Sequence, residues 1–158
     1  MKREINAFVK TLQEKSLRIA FAESITCGLL SEKLANYKGT SDVLAGSVIC
    51  YDACVKKDLL GVSEQMISRY TCESMEVTAA LAKNLRRLIS ADIHAAITGL
   101  AAPGGSETPK KPVGTVFFCF LYKGKLHKLQ KRYYGTPRNI RIKATLEMYN
   151  FILAKVKD

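Results

Sequence analysis

Three stretches of this chain carry groups suited to acyl-transfer chemistry. In residues 21–28 (FAESITCG) an apolar run gives way to polar residues and glycine, as where a strand ends and a helix begins. Ser24 at such a junction sits where unpaired N–H groups and the positive helix end converge, a setting that stabilises an oxyanion. The plainer role for Ser24 or Thr26 is to cap the helix. In residues 48–57 (VICYDACVKK) a second apolar run delivers Tyr51, and Lys56 follows a little more than one helical turn later. A serine hydroxyl needs a base, and lysine replaces histidine in that task when it is held as the free amine, which burial or a nearby cation favours. Tyr51 would relay the proton or orient the amine; the plainer reading of Lys56 and Lys57 is a solvated pair. Residues 97–106 (ITGLAAPGGS) form a Gly-rich loop whose backbone could approach a ligand and cradle an anion, or simply turn at the surface.

The elements that must position these groups read as follows. Ile5, Phe8, Val9 and Leu12 stand at helical spacing within 4–15. A buried strand over 18–22 leads into a helix from about Ser24 to Tyr37, with Leu29, Leu30 and Leu34 facing inward. Turn residues at 38–42 precede a strand over 43–51 and a short helix over 52–60 that Gly61 ends. Ser63 caps another short helix, and 73–90 reads as a longer one carrying Val77, Leu81, Leu85 and Leu88. Strands follow at 94–99, 114–122 and 125–134, the last two joined by a tight reversal at Lys123-Gly124, before a helix over 139–155. The expected fold is α/β: one domain over 1–158, a mixed sheet flanked by helices in α/β/α layers.

Composition narrows the function. At 158 residues, 47% hydrophobic and 25% charged, the chain has the balance of a globular domain. No apolar run approaches the ~20 residues of a membrane span, and no signal-peptide core follows the N-terminus. Five unevenly spaced cysteines suit reduced thiols in the cytoplasm. With two histidines, His94 and His127, far apart and no CxxC, neither a metal site nor a cofactor is expected. The net charge of +11 is spread in short pairs without a nucleic-acid-binding motif, which reads as a solvated basic surface and not as a specific nucleic-acid or membrane site.

Taken in order, the motifs resemble the CinA C-terminal-domain family from about residue 5 to residue 153. Its pattern A-E-S-x-T-x-G appears at 22–28, its Tyr-x4-Lys as Tyr51 and Lys56, and its L-G-V at 60–62. The pattern T-G-x-A-x-P-x-G is met by 98–105, with Gly105 as its final glycine, and K-P-V-G-T-V by 111–116. The resemblance implies a nicotinamide-nucleotide amidase of pyridine-nucleotide salvage, turning nicotinamide mononucleotide and water into nicotinic acid mononucleotide and ammonia. It implies Ser24 as nucleophile, Lys56 as base and Tyr51 as helper. Glu23, Thr26, Thr98, Gly99, Gly104 and Gly105 would line the nucleotide site, and Arg141 would meet the phosphate. The family's G-x-R-x-x-I-R reads GTPRNIR at 135–141, so Pro137 replaces its first arginine. Cys27 and Ala102 replace glycines and Ala53 a common asparagine, which leaves the exact substrate open. The partner implied is a small nucleotide; a homo-oligomer remains open. Two rivals stand beside this reading: Cys27 as a thiol nucleophile, and a catalytically silent binding protein with a filled pocket and a broad basic face.

Overall fold

The computed structural model describes residues 2–157. In chain order the elements are α1 (Lys2–Glu14), β1 (Ile19–Glu23), α2 (Leu29–Ala35), α3 (Thr40–Val43), β2 (Leu44–Ile49), α4 (Ala53–Asp58), α5 (Glu64–Tyr70), α6 (Met75–Leu85), β3 (Ile93–Gly99), β4 (Thr115–Tyr122), β5 (Lys125–Arg132) and α7 (Pro137–Val156). The five strands form one sheet in the order β2-β1-β3-β4-β5. β1 runs parallel to β2 and β3, while β3–β4 and β4–β5 are antiparallel. This is the mixed sheet between helical layers that the alternation of strand and helix patterns implied.

Strand pleating sends alternate residues to opposite faces, and the two faces differ in size. Ile19, Phe21, Ile93, Ile97, Phe118 and Phe120 join α1, α2 and α7 in one core. The opposite face offers Ala20, Ala22 and Ala96, and α6 lies against these small side chains through Val77, Leu81 and Leu85. Among the described residues no helix is long and apolar enough to cross a membrane.

Among the departures from the sequence expectation are α3, which occupies part of the 38–42 stretch read as a turn, and three helix boundaries. Residues 24–28 are a turn, not the first turn of a helix, and α2 starts only at Leu29 behind Gly28, which sits at φ 92°. The helix expected over 73–90 stops at Leu85, leaving Leu88 45% exposed. α7 begins at Pro137, because Thr136 caps it by accepting from Asn139 N at 3.3 Å and proline at the first helical position loses no hydrogen bond.

The sheet order places a reversal of direction at β1: the chain leaves β1 for β2 on one side and later returns to β3 on the other. At such a switch point the carboxyl ends of neighbouring parallel strands open a crevice. Ser24 follows β1 there, and Thr98 and Gly99 close β3 beside it, with Glu23 opposite Ile97.

The packing also sorts the thiols. Burial pushes the Cys50 thiol up to about 11 and Cys119 up to about 12, whereas Cys27 and Cys54 are exposed. Because only the thiolate reacts, brief iodoacetamide treatment of the native protein should label exposed Cys27, label Cys54 more slowly because the neighbouring Asp52 raises its thiol, and spare Cys50 and Cys119, read by peptide mass spectrometry. Labelling of all five should require denaturant.

Candidate active site

A cleft of about 510 Å³ opens at the switch point. Ser24, Ile25 and Cys27 line it from the turn after β1, Tyr51 from the exit of β2, residues 99–105 from the Gly-rich loop, and Pro137 and Arg141 from the start of α7. Glu73, just before α6, completes the wall and was not among the residues that sequence singled out.

Ser24 is 5% exposed, with its own N–H donating to Ile97 O at 3.1 Å across the β1–β3 seam. The adjoining carboxylate explains why the chain turns here. Glu23 is wholly buried, and its two oxygens accept from Thr26 Oγ1 (2.8 Å), Leu30 N (3.0 Å), Ser31 N (3.1 Å), Ser31 Oγ (2.7 Å) and Ser47 Oγ (3.0 Å). The amides at the start of α2 are therefore spent on Glu23 and not on the hydroxyl of Ser24. Glu23 and Thr26, expected to line the substrate site, are not among the residues that line the cleft. Glu23 is fully engaged in holding the turn, and Thr26 is completely buried with its hydroxyl on Glu23. The backbone N–H groups of Ile25 and Thr26 find no acceptor among the described residues.

Lys56 is also wholly buried, which sets it apart from exposed Lys57. Its amine donates to the carbonyls of Cys50 (2.5 Å) and Tyr51 (3.0 Å). Cys50 in turn donates its N–H to Glu23 O at 2.8 Å. One residue thus links the lysine amine to the peptide preceding Ser24, although Lys56 Nζ and Ser24 Oγ share no hydrogen bond. Tyr51 orients the amine through its backbone carbonyl. Its side chain is 71% exposed at the cleft, and its hydroxyl makes no hydrogen bond among the described residues.

Thr98, expected to line the site, is buried behind the cleft with its hydroxyl 2.8 Å from that of Thr78, a contact that ties β3 to α6. A side chain at Gly99 would come within 2.7 Å of Thr115 O, so glycine there allows β3 and β4 to close. The anion cradle expected at Gly104 and Gly105 already holds an anion from the chain itself: Gly104 N donates to Glu107 Oε1 at 2.8 Å. That N–H, joined by those of Glu107 and Gly105, holds the Glu107 carboxyl below its ordinary range. Arg141 donates through Nη2 to Thr26 O at 2.8 Å, and its Nε is buried without a partner. Cys27 occupies the left-handed region at φ 48°, a conformation that favours glycine and places a thiol in the cleft.

Among the described residues no three His, Cys, Asp or Glu side chains group to hold a metal ion.

A family model described as CinA C-terminal domain matches residues 2–156. A CinA-like protein of Pseudothermotoga lettingae is 36% identical over 135 residues, covering 85% of this chain and 32% of that protein. A CinA-like protein of Thermotoga neapolitana is 37% identical over 138 residues, covering 87% and 33% respectively. The chain therefore spans about a third of the length of these curated relatives. Among solved structures, a CinA superfamily protein of Escherichia coli superposes with a TM-score of 0.89 at 28% identity, over 95% of this chain and 87% of that one. Competence/damage inducible protein CihA of Agrobacterium tumefaciens superposes with a TM-score of 0.92 at 24% identity, over 99% and 94%, a likeness of fold.

The carboxylate of Glu23 predicts a separation of stability from chemistry. Glu23→Gln replaces an acceptor oxygen with a donor amide against donors already in place. It should lower unfolding free energy by about 3 kcal/mol in urea titrations, whereas Ser24→Ala should change it by less than about 1 kcal/mol.

Proposed function

The chain belongs to the CinA C-terminal-domain family, and from that premise we propose that it is an amidohydrolase acting through Ser24, its substrate the carboxamide of nicotinamide mononucleotide. The observation that carries the reading is the position of Ser24. It lines an open cleft at the sheet's switch point, and through Cys50 the peptide before it is hydrogen-bonded to the strand exit whose carbonyls hold the buried Lys56 amine.

In this mechanism Ser24 Oγ attacks the amide carbon and its proton passes to the free amine of Lys56. The free N–H groups of Ile25 and Thr26 are the donors at hand for the oxyanion. The C–N bond then breaks, Lys56 returns the proton to the departing nitrogen, and ammonia leaves an acyl-Ser24 ester. Water attacks that ester, giving its proton to Lys56. The acid is released as the serine regains its hydrogen. Apo sites commonly hold nucleophile and base farther apart than the reacting complex does, so the missing Ser24–Lys56 bond is compatible with these steps.

The open cleft favours catalysis over the silent-protein alternative, for which a filled pocket was expected. Cys27 shares the cleft, yet its thiol has no hydrogen-bonded partner to serve as base among the described residues. Arg141 is the cationic group lining the cleft and suits a phosphate, with Thr26 O fixing one edge of its guanidinium.

Ammonia release from nicotinamide mononucleotide tests the reading. Ser24→Ala should lose several orders of magnitude in kcat, and Lys56→Met should do likewise, while Lys57→Ala retains near-normal turnover. Full activity in Ser24→Ala would move the nucleophile to Cys27. Arg141→Ala should cut kcat/KM for the nucleotide by about tenfold or more, yet hardly alter hydrolysis of a phosphate-free amide such as nicotinamide riboside. An equal loss for both would remove Arg141 from the phosphate site.

A further inference from the structure

The charged side chains lining the cleft are Arg141, fastened to the Ser24 turn, and Glu73, fastened to the opposite loop. A glutamate before a helix ordinarily serves the helix's positive end. Glu73 does not, because Ser74 caps α6 by accepting from Val77 N at 3.2 Å. The Glu73 carboxylate reaches across to the Gly-rich loop, where Oε2 accepts from Ser106 Oγ at 2.5 Å.

Ser106 is itself held in place. Lys111 Nζ donates to Ser106 Oγ (2.8 Å), Thr71 Oγ1 (2.6 Å) and Glu73 O (2.9 Å), so all three ammonium donors go to neutral oxygens. Oε1 of Glu73 has no hydrogen-bond partner among the described residues. The cleft wall therefore presents a carboxylate that is aimed by a hydroxyl yet keeps one oxygen unused.

We propose that Glu73 is a specificity-determining residue that accepts hydrogen bonds from the sugar hydroxyls of the substrate, an inference that rests on the nucleotide-amidase reading above. An ionised carboxylate is a strong acceptor for O–H donors. It repels a phosphate, so the anionic end of the substrate goes to Arg141 and the hydroxyl-bearing part to Glu73. Hydroxyls fit better than a cationic group, because the Lys111 ammonium in the same cluster already supplies a positive field. Glu73 and Arg141 together then select a molecule that is anionic at one end and hydroxylated in the middle, over simple aromatic amides of the same size.

Calorimetric titration of Ser24→Ala protein, in which turnover is blocked, separates the outcomes. The probes are nicotinamide mononucleotide and its 2′,3′-dideoxy analogue, each with and without Glu73→Ala. The expected result is a loss of about tenfold or more for the nucleotide and under about twofold for the dideoxy analogue. Glu73→Gln keeps an acceptor for Ser106 and hence the loop anchor, and it should show a smaller loss that is still confined to the hydroxylated ligand. Equal losses for both ligands in both variants would overturn the proposal, leaving Glu73 as a loop anchor while the amidase reading stands. Failure of nicotinamide mononucleotide itself to bind the protein with Glu73 intact would overturn the nucleotide reading and this inference with it.

Discussion

A single buried carboxylate organises the centre of this molecule. Glu23 ends β1, and its oxygens gather donors from the turn (Thr26), from the start of α2 (Leu30, Ser31) and from β2 (Ser47). A wholly buried carboxylate is tolerated only when such donors satisfy it. The need to collect them bends the chain sharply after β1 and delays the helix to Leu29. Ser24 lines the cleft, while its neighbour's charge is served by donors from the turn, α2 and β2.

The opposite wall follows the same logic with the signs reversed. There a cation, Lys111, is satisfied by neutral oxygens of Thr71, Glu73 and Ser106, and so pins the Gly-rich loop to the connection between α5 and α6. Burial lowers the affinity of Lys111 for its proton, and Glu73 and Cys72 act the other way. The two anchors bracket a cleft whose floor is the carboxyl ends of β1 and β3. The sheet supplies the position, and the paired anchors keep its walls apart.

Much of this was legible in the sequence, for identifiable reasons. The heptad-like spacing of Ile5, Phe8, Val9 and Leu12 marks α1, and the apolar runs ending at Glu23 and Gly99 mark strands, because periodicity is a local property. The motif order also picked out the stretches that converge on one cleft, and Ser24, Tyr51, Gly99, Gly104, Gly105 and Arg141 all line it. What sequence missed depends on distant partners. Glu23 and Thr26 resemble site residues until Ser47, from another strand, is seen to share the carboxylate. Glu73 resembles an ordinary acidic helix start until Ser106 draws it into the cleft. The Gly104–Gly105 cradle resembles an empty anion site until Glu107 folds back into it. The start of α7 was set two residues late, at 139, although threonine followed by proline is a local signal for a capped helix.

The placement of Lys56 has a consequence of its own. Its amine hangs from the carbonyls of Cys50 and Tyr51, where the chain leaves β2, and β2 is an outer strand with one neighbour and a half-exposed surface. Outer strands open more readily than central ones, by local excursions that leave the rest of the fold intact. The hydroxyl of the proposed pair follows the central strand β1, while its amine, on α4, hangs from the exit of an edge strand. Local opening of that edge would therefore part the two groups while the core stays folded.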